Sequence, residues 1–185
     1  GNHYFGDFGV TTQGQMKFSA NGQYLAEATF VDPFSIGIYR FNNEYPRTDS
    51  IYLFSKEFKP PYTKRWISAV EFSPDNSKLY LISGDGFPLE PDPVILYQLV
   101  LDDLQNDTFG SSWRGIDSLW GLENGDLQIA PNGKIYLSIP GEDYLAVINN
   151  PNEIGANCNY ERIGLSLDSG GTSLYGLPTF NQSYF

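Results

Sequence analysis

Apolar residues in this chain recur at every second position over short runs, and small clusters of Gly, Asn, Asp and Pro break those runs. A period of two belongs to half-buried β-strands, and a helical period is hard to find anywhere. One pattern repeats. Phe18-Ser19-Ala20-Asn21-Gly22 returns as Phe72-Ser73-Pro74-Asp75-Asn76 and again as Ile129-Ala130-Pro131-Asn132-Gly133, each time with alternating apolar residues on both sides. Asn-Gly and Asp-Asn take the positive φ that tight hairpin turns need, so each copy predicts a strand, a turn and a second strand. The copies stand 54 and 57 residues apart. That is too long for a lone hairpin and near the roughly 40 to 50 residues of a four-stranded propeller blade with loop insertions.

A third apolar strand follows each hairpin, at Ile36–Phe41, at residues 94–99 and at Tyr144–Ile148, each closed by a polar turn. A fourth, more variable stretch is expected at residues 51–58, 109–119 and 162–167. The proline-rich loop over residues 84–93 is the longest insertion, and its prolines exclude a continued strand. Residues 174–178 echo residues 119–123, so a fourth unit begins near Ser173. The prediction is an all-β chain of β-propeller-type blades, each of four antiparallel strands, with about three and a half blades visible. Blades are expected at about 10–66, 67–120 and 121–172, with a closing strand at 173–185. Closed propellers use roughly four to eight blades, so this reads as the C-terminal half of a larger one, with exposed sheet edges that invite pairing.

Composition narrows the chemistry. In 185 residues the net charge is −11 and the pI about 4.3, which argues against phosphate-neutralising surfaces, so nucleic acid and anionic membranes are not expected partners, and without an apolar run near eighteen residues no membrane insertion is expected. With 41% hydrophobic and 16% aromatic residues the chain is too rich in core-forming side chains for disorder. Cys158 is the one cysteine and His3 the one histidine, which leaves Ser/His/Asp, Cys/His and His- or Cys-rich zinc chemistry without its residues. The start at Gly1 reads as a mature product or a piece of a longer precursor.

Residues 72–80 and 128–136, the runs Ile148-Asn149-Asn150-Pro151-Asn152 and Gly155-Ala156-Asn157-Cys158-Asn159-Tyr160, and the closing residues 176–185 resemble the WD40-like propeller region of large secreted proteins of the Bacteroidetes. The likeness covers nearly all of residues 10–185. In that group the propeller is commonly followed by PKD-type repeats and a C-terminal sorting domain of the gliding-motility and type IX secretion kind. The resemblance implies a propeller about twice this long, an extracellular or cell-surface location, and the remaining blades or flanking domains of a parent protein as partners. It carries no catalytic residues over to this chain.

Carboxylates are the abundant catalytic groups, and Asp32, Asp85, Glu90, Asp92, Asp117 and Glu123 lie in or beside loops. A glycoside hydrolase or lyase could use such groups or Tyr and Arg, though acidic loops on an acidic protein read first as solvated surface. No cofactor is expected. Asp85 and the acidic run at residues 102–107 offer oxygen ligands to calcium, but without the spacing of a calcium-binding loop. Flat rings stack on sugars, which brings in Tyr62, Trp66, Phe87, Trp113, Trp120 and Tyr175. Trp66, Trp120 and Tyr175 sit at equivalent places before inner strands and are expected to be packing residues. Phe87 and Trp113, in Gly/Pro- and Ser/Gly-rich loops, are the better surface candidates. The expected ligand-binding set is therefore Phe87, Trp113, Tyr62 and Asp85, without catalytic residues or metal. Lys56, Lys59, Lys64 and Arg65 form the basic cluster, which is expected to pair with the protein's own carboxylates. Asn106 and Asn181 open N-glycosylation sequons, while Asp49-Ser50-Ile51 and Asp117-Ser118-Leu119 resemble O-glycosylation acceptors. Cys158 is expected to be a small packed residue.

The functional expectation is a non-catalytic binding or spacer module of a secreted or cell-surface protein, contacting polysaccharide or surface protein. The alternatives are a carbohydrate-active enzyme with carboxylate or Tyr chemistry, and a structural subunit that assembles through open blade edges.

Overall fold

Alternation becomes twelve strands in the computed structural model, which describes residues 15–28, 36–41, 48–53, 66–84, 93–101, 113–120, 125–168 and 170–178. The first sheet holds β1 (Met16–Phe18), β2 (Tyr24–Ala28), β3 (Ile36–Phe41) and β4 (Thr48–Leu53). The second holds β5 (Trp66–Phe72), β6 (Lys78–Gly84), β7 (Val94–Val100) and β8 (Trp113–Leu119). The third holds β9 (Leu127–Ile129), β10 (Ile135–Ser138), β11 (Tyr144–Ile148) and β12 (Tyr160–Ser166). Every sheet is an antiparallel meander in chain order. Three such meanders in succession, stacked face to face, are propeller-type blades.

The repeated turns form for a local reason. Gly22, Asn76 and Gly133 have φ of 67°, 61° and 74°, the left-handed conformation that Gly takes freely and Asn tolerates. Their N–H groups donate to the carbonyls of Ser19, Ser73 and Ala130. Side chains reinforce the first two turns. The Ser73 hydroxyl donates to Asp75 at 2.6 Å and accepts from the Lys78 N–H at 2.9 Å, and Ser19 with Asn21 and Tyr24 repeats the arrangement.

Two apolar seams join the blades. Ala26, Ala28, Ile36 and Ile38 of the first blade meet Ile67, Val70, Phe72, Leu79 and Leu81 of the second. Ala69, Tyr80, Ile82 and Leu96 on the opposite face of the second blade meet Leu127, Ile129, Ile135, Leu137, Ala146 and Cys158 of the third. The middle blade is thus covered on both faces, and β6 and β7 are buried along their whole length. Cys158 is packed as expected; burial pushes its thiol pKa up, partly offset by hydrogen bonds with Tyr80 and the Tyr160 backbone.

The outer strands depart from expectation. β4 is Thr48–Leu53 and so starts three residues before the expected 51–58, of which residues 54–58 lie outside the described residues, and β12 starts at Tyr160. Of the closing strand expected at 173–185, residues 179–185 lie outside the described residues, and residues 170–178 contain no strand. They cross the third blade as an irregular strap, with Ser173 N–H on the Glu142 carbonyl, Gly141 N–H on the Ser173 carbonyl and Leu177 N–H on Asp126. Among the described residues no helix is long and apolar enough to cross a membrane.

Candidate binding surface

The inner strands β1, β5 and β9 lie next to one another, so equivalent residues of the three blades meet. Lys17, Glu71 and Gln128 each precede the apolar residue that opens the turn motif. Lys17 Nζ donates to Glu71 Oε2 at 3.0 Å and to Gln128 Oε1 at 2.8 Å. Glu71, whose side chain is wholly buried, accepts further bonds from the N–H groups of Phe72 and Ile129, both at 3.1 Å. One polar residue per blade therefore closes a hydrogen-bonded knot across both seams, and its charges are paired, as burial demands. Gln15 spans the same three blades one step along. Its Oε1 accepts from Val70 N–H at 2.7 Å and its Nε2 donates to Asp126 at 2.7 Å.

Above this knot the three turns surround a recess of about 310 Å³, lined by Ala20, Phe72, Ser73, Pro74, Ile129, Pro131, Asn132 and Gly133. Phe72 and Ile129 make a buried apolar floor, while Ala20, Pro131 and Asn132 stand exposed at the rim. Hydrogen bonds between blades hold the rim together: Asn21 N–H reaches Asn76 Oδ1 at 3.4 Å, and Asp75 N–H reaches Asn152 Oδ1 at 3.2 Å. Burial raises the Asp75 pKa, but hydrogen bonds from Ser73 and Ser77 outweigh it and hold the carboxyl below its ordinary value. Asn132 donates from Nδ2 to the Tyr136 hydroxyl and accepts the Lys134 N–H on Oδ1.

At the outer side of the second seam, Arg162 makes a two-pronged pair with Asp117 at 2.9 and 2.7 Å and donates to the Ser118 carbonyl. Burial opposes ionisation of Asp117, yet Arg162 holds its carboxyl below the usual range. Burial pushes the neighbouring Tyr160 phenol up, and the Asp117 charge adds to this. Deeper in the seam, Tyr80 donates to the Pro151 carbonyl at 2.9 Å. Gln98 donates to Tyr80 and to the Glu153 carbonyl and accepts the Gly155 N–H.

Tyr62, Asp85 and Phe87 lie outside the described residues, as do the basic cluster, the acidic run at 102–107, both sequons and the carboxylates Asp32, Glu90, Asp92 and Glu123. Trp113 is not in a loop. It opens β8 half-buried, packs on the first seam and stands edge-on to Tyr97 with ring centroids 6.3 Å apart. Trp120 and Tyr175 correct the packing expectation, being 63% and 61% exposed. They are not equivalent to Trp66, which lies within β5: Trp120 stands in the turn after β8, and Tyr175 in the strap. The recess escaped sequence reading because its residues were read one hairpin at a time. The signal was present in the shared frame, whose prolines and small residues all come to one end of the stack. Among the described residues no group of three or more His, Cys, Asp or Glu is arranged to hold a metal ion.

No protein-family model matches the chain, and no curated protein matches it. Among solved structures it is similar to that of U3-55K, at 13% identity and a TM-score of 0.35, over 75% of this chain and 49% of that one. It is also similar to the crystal structure of the RRP9 WD40 repeats, at 12% identity and a TM-score of 0.34, over 75% of this chain and 48% of that one. The chain spans about half the length of the solved chains it matches. The blade fold rests on the ladders and seams described above.

Proposed function

We propose that this chain is a non-catalytic binding module of a secreted or cell-surface protein, and that the turn-face recess is where it holds a surface polysaccharide or an extended segment of a surface protein. The observation that carries this reading is the recess itself. Equivalent turns from three blades build one apolar floor with an exposed rim that offers Asn132 and turn backbone, the mix of apolar wall and few polar groups that ligand sites use. Parts contributed by three sheets, tied by the Lys17–Glu71–Gln128 knot, give a preorganised surface and so a low ordering cost on binding.

The test uses the chain immobilised against neutral and acidic polysaccharides and purified envelope proteins, with product analysis of every glycan that binds. The expected result is a saturable ligand whose affinity falls at least tenfold in Ala20→Trp, which fills the rim without removing a hydrogen bond, and no glycan cleavage. Binding indifferent to that substitution, absence of any ligand, or measured turnover would each overturn the reading.

A further inference from the structure

Polar groups decide what the turn-face recess can hold. Of the residues that line it, Ser73 and Asn132 bring polar side chains. Ser73 is buried, and its hydroxyl spends its proton on Asp75 while accepting the Lys78 N–H. Asn132 is exposed at the rim and half committed: Nδ2 donates to the Tyr136 hydroxyl and Oδ1 accepts the Lys134 N–H. One amide donor and one acceptor position remain on it, which suits a single peptide group. A sugar ring carries a hydroxyl on nearly every carbon, and each hydroxyl that leaves water without a new partner weakens binding.

Charge points the same way. The lining carries no charged side chain, so an ammonium or carboxylate entering the recess would meet no opposite charge on it, and burial of an unpaired charge is unfavourable. Asp75, next in the chain after Pro74, takes the Ser73 and Ser77 hydroxyls and the Ser77 N–H on one oxygen, all within its own turn. What the recess offers freely is apolar surface. Phe72 and Ile129 in the floor are 2% and 4% exposed, and Pro74 and Pro131 add rings of fixed φ. The second and third turns come so close that a Cβ on Gly133 would meet Pro74 Cγ at 3.9 Å, and the Asn21–Asn76 hydrogen bond ties the first turn to the second. The walls are therefore set before anything binds. The volume of about 310 Å³ is that of about ten waters at roughly 30 Å³ each. Water over an apolar floor is poorly held, and an apolar group that displaces it gains affinity.

We propose that the recess takes one bulky apolar side chain of an extended protein segment, seated on Phe72 and Ile129, with the adjoining peptide group of that segment bonded to Asn132 at the rim. The net charge of −11 repels acidic segments, so the segment is neutral or basic. This occupant rests on the turn-face recess being the binding surface, as proposed above, and is protein rather than polysaccharide.

The experiment selects peptides from a random phage-displayed library on the whole immobilised chain, with neutral and acidic polysaccharides assayed in parallel. Enriched peptides are then synthesised and measured against the chain and against Ala20→Trp and Pro131→Asp, both at the exposed rim, with strand content followed by circular dichroism. The enriched peptides are expected to share one bulky apolar residue and to lack acidic neighbours. Replacing that residue by Ala weakens binding roughly tenfold or more, and each rim variant that keeps its strand content does the same. A polysaccharide that binds and is lost in the rim variants, with no peptide enriched, overturns the protein occupant and leaves the recess as the binding surface. Peptides that depend on a charged residue and tolerate loss of the apolar one overturn the apolar anchor and likewise leave the recess in place. Ligands indifferent to both rim variants, or no ligand of either class, overturn the occupant and the binding surface together.

Discussion

Glu71 is the residue on which most of the stack converges. Its wholly buried carboxylate takes an ammonium from the first blade, a backbone N–H from its own and another from the third. Removing one partner of a buried charge pair strands the other, at a typical cost of about 3–5 kcal/mol. Glu71→Ala should therefore lower the urea midpoint by that equivalent, and adding Lys17→Met to it should recover part of the loss; strictly additive costs would show that the pair is not coupled. In the sequence Lys17, Glu71 and Gln128 were visible as the polar member of each motif. Alternation says only that such a residue faces away from its apolar neighbours, and not that three blades bring those faces together. The turn residues were legible for the opposite reason: the need for positive φ at Gly22, Asn76 and Gly133 is local and leaves its mark in composition.

Among elements, legibility fell from the inside of each blade outward. β6, β7 and β11 are apolar runs buried by sheets on one or both faces, and their positions follow from the sequence almost to the residue. β12 is polar on its exposed side, so the period of two is diluted and the strand begins earlier, at Tyr160, than its apolar residues suggest. Trp120 and Tyr175 misled because similar sequence context stood for equivalent structure. The outer strands β8 and β12 also carry a pH-sensitive contact. Asp117 has a depressed folded pKa, so its pairing with Arg162 adds stability above the unfolded carboxyl value near 3.9, and that contribution is lost as pH falls through the folded value. The pair is partly exposed and worth no more than about 0.2–1 kcal/mol. At the alkaline end the signs reverse. The Tyr39, Tyr80 and Tyr160 phenols are raised chiefly by burial, so their contribution holds below about pH 10, the unfolded value, and is lost as pH rises beyond it. Thermal midpoints across pH should thus fall at both ends, and Asp117→Asn should flatten the acid arm alone; an unchanged acid arm would remove the pair from the account.

For the whole molecule the decisive fact is order along the stack. Each blade is a local meander, and the apolar contacts between blades join neighbours through two seams of different chemistry: the first mainly apolar, the second adding Tyr80, Gln98 and the Asp117–Arg162 pair, while Gln15 and Lys17 of the first blade also reach Asp126 and Gln128 of the third. Stability in such arrays is close to a sum of unit and neighbour-interface contributions, so the unit with two neighbours is the most protected. Amide hydrogen exchange should be slowest in β6 and β7 and faster in β2, β3, β10 and β11, where only one seam protects the sheet. Uniform exchange across all three sheets would mean that the stack opens as one unit.

The doubly covered middle blade has a kinetic consequence as well. Its four strands pair only with chain neighbours, so it can assemble from contacts close in sequence before either flanking sheet is in place. Once formed, it offers each flank a finished template. Folding that spreads from the centre, and unravelling that begins at the two ends, is the behaviour of a zipper with its slider parked at the middle.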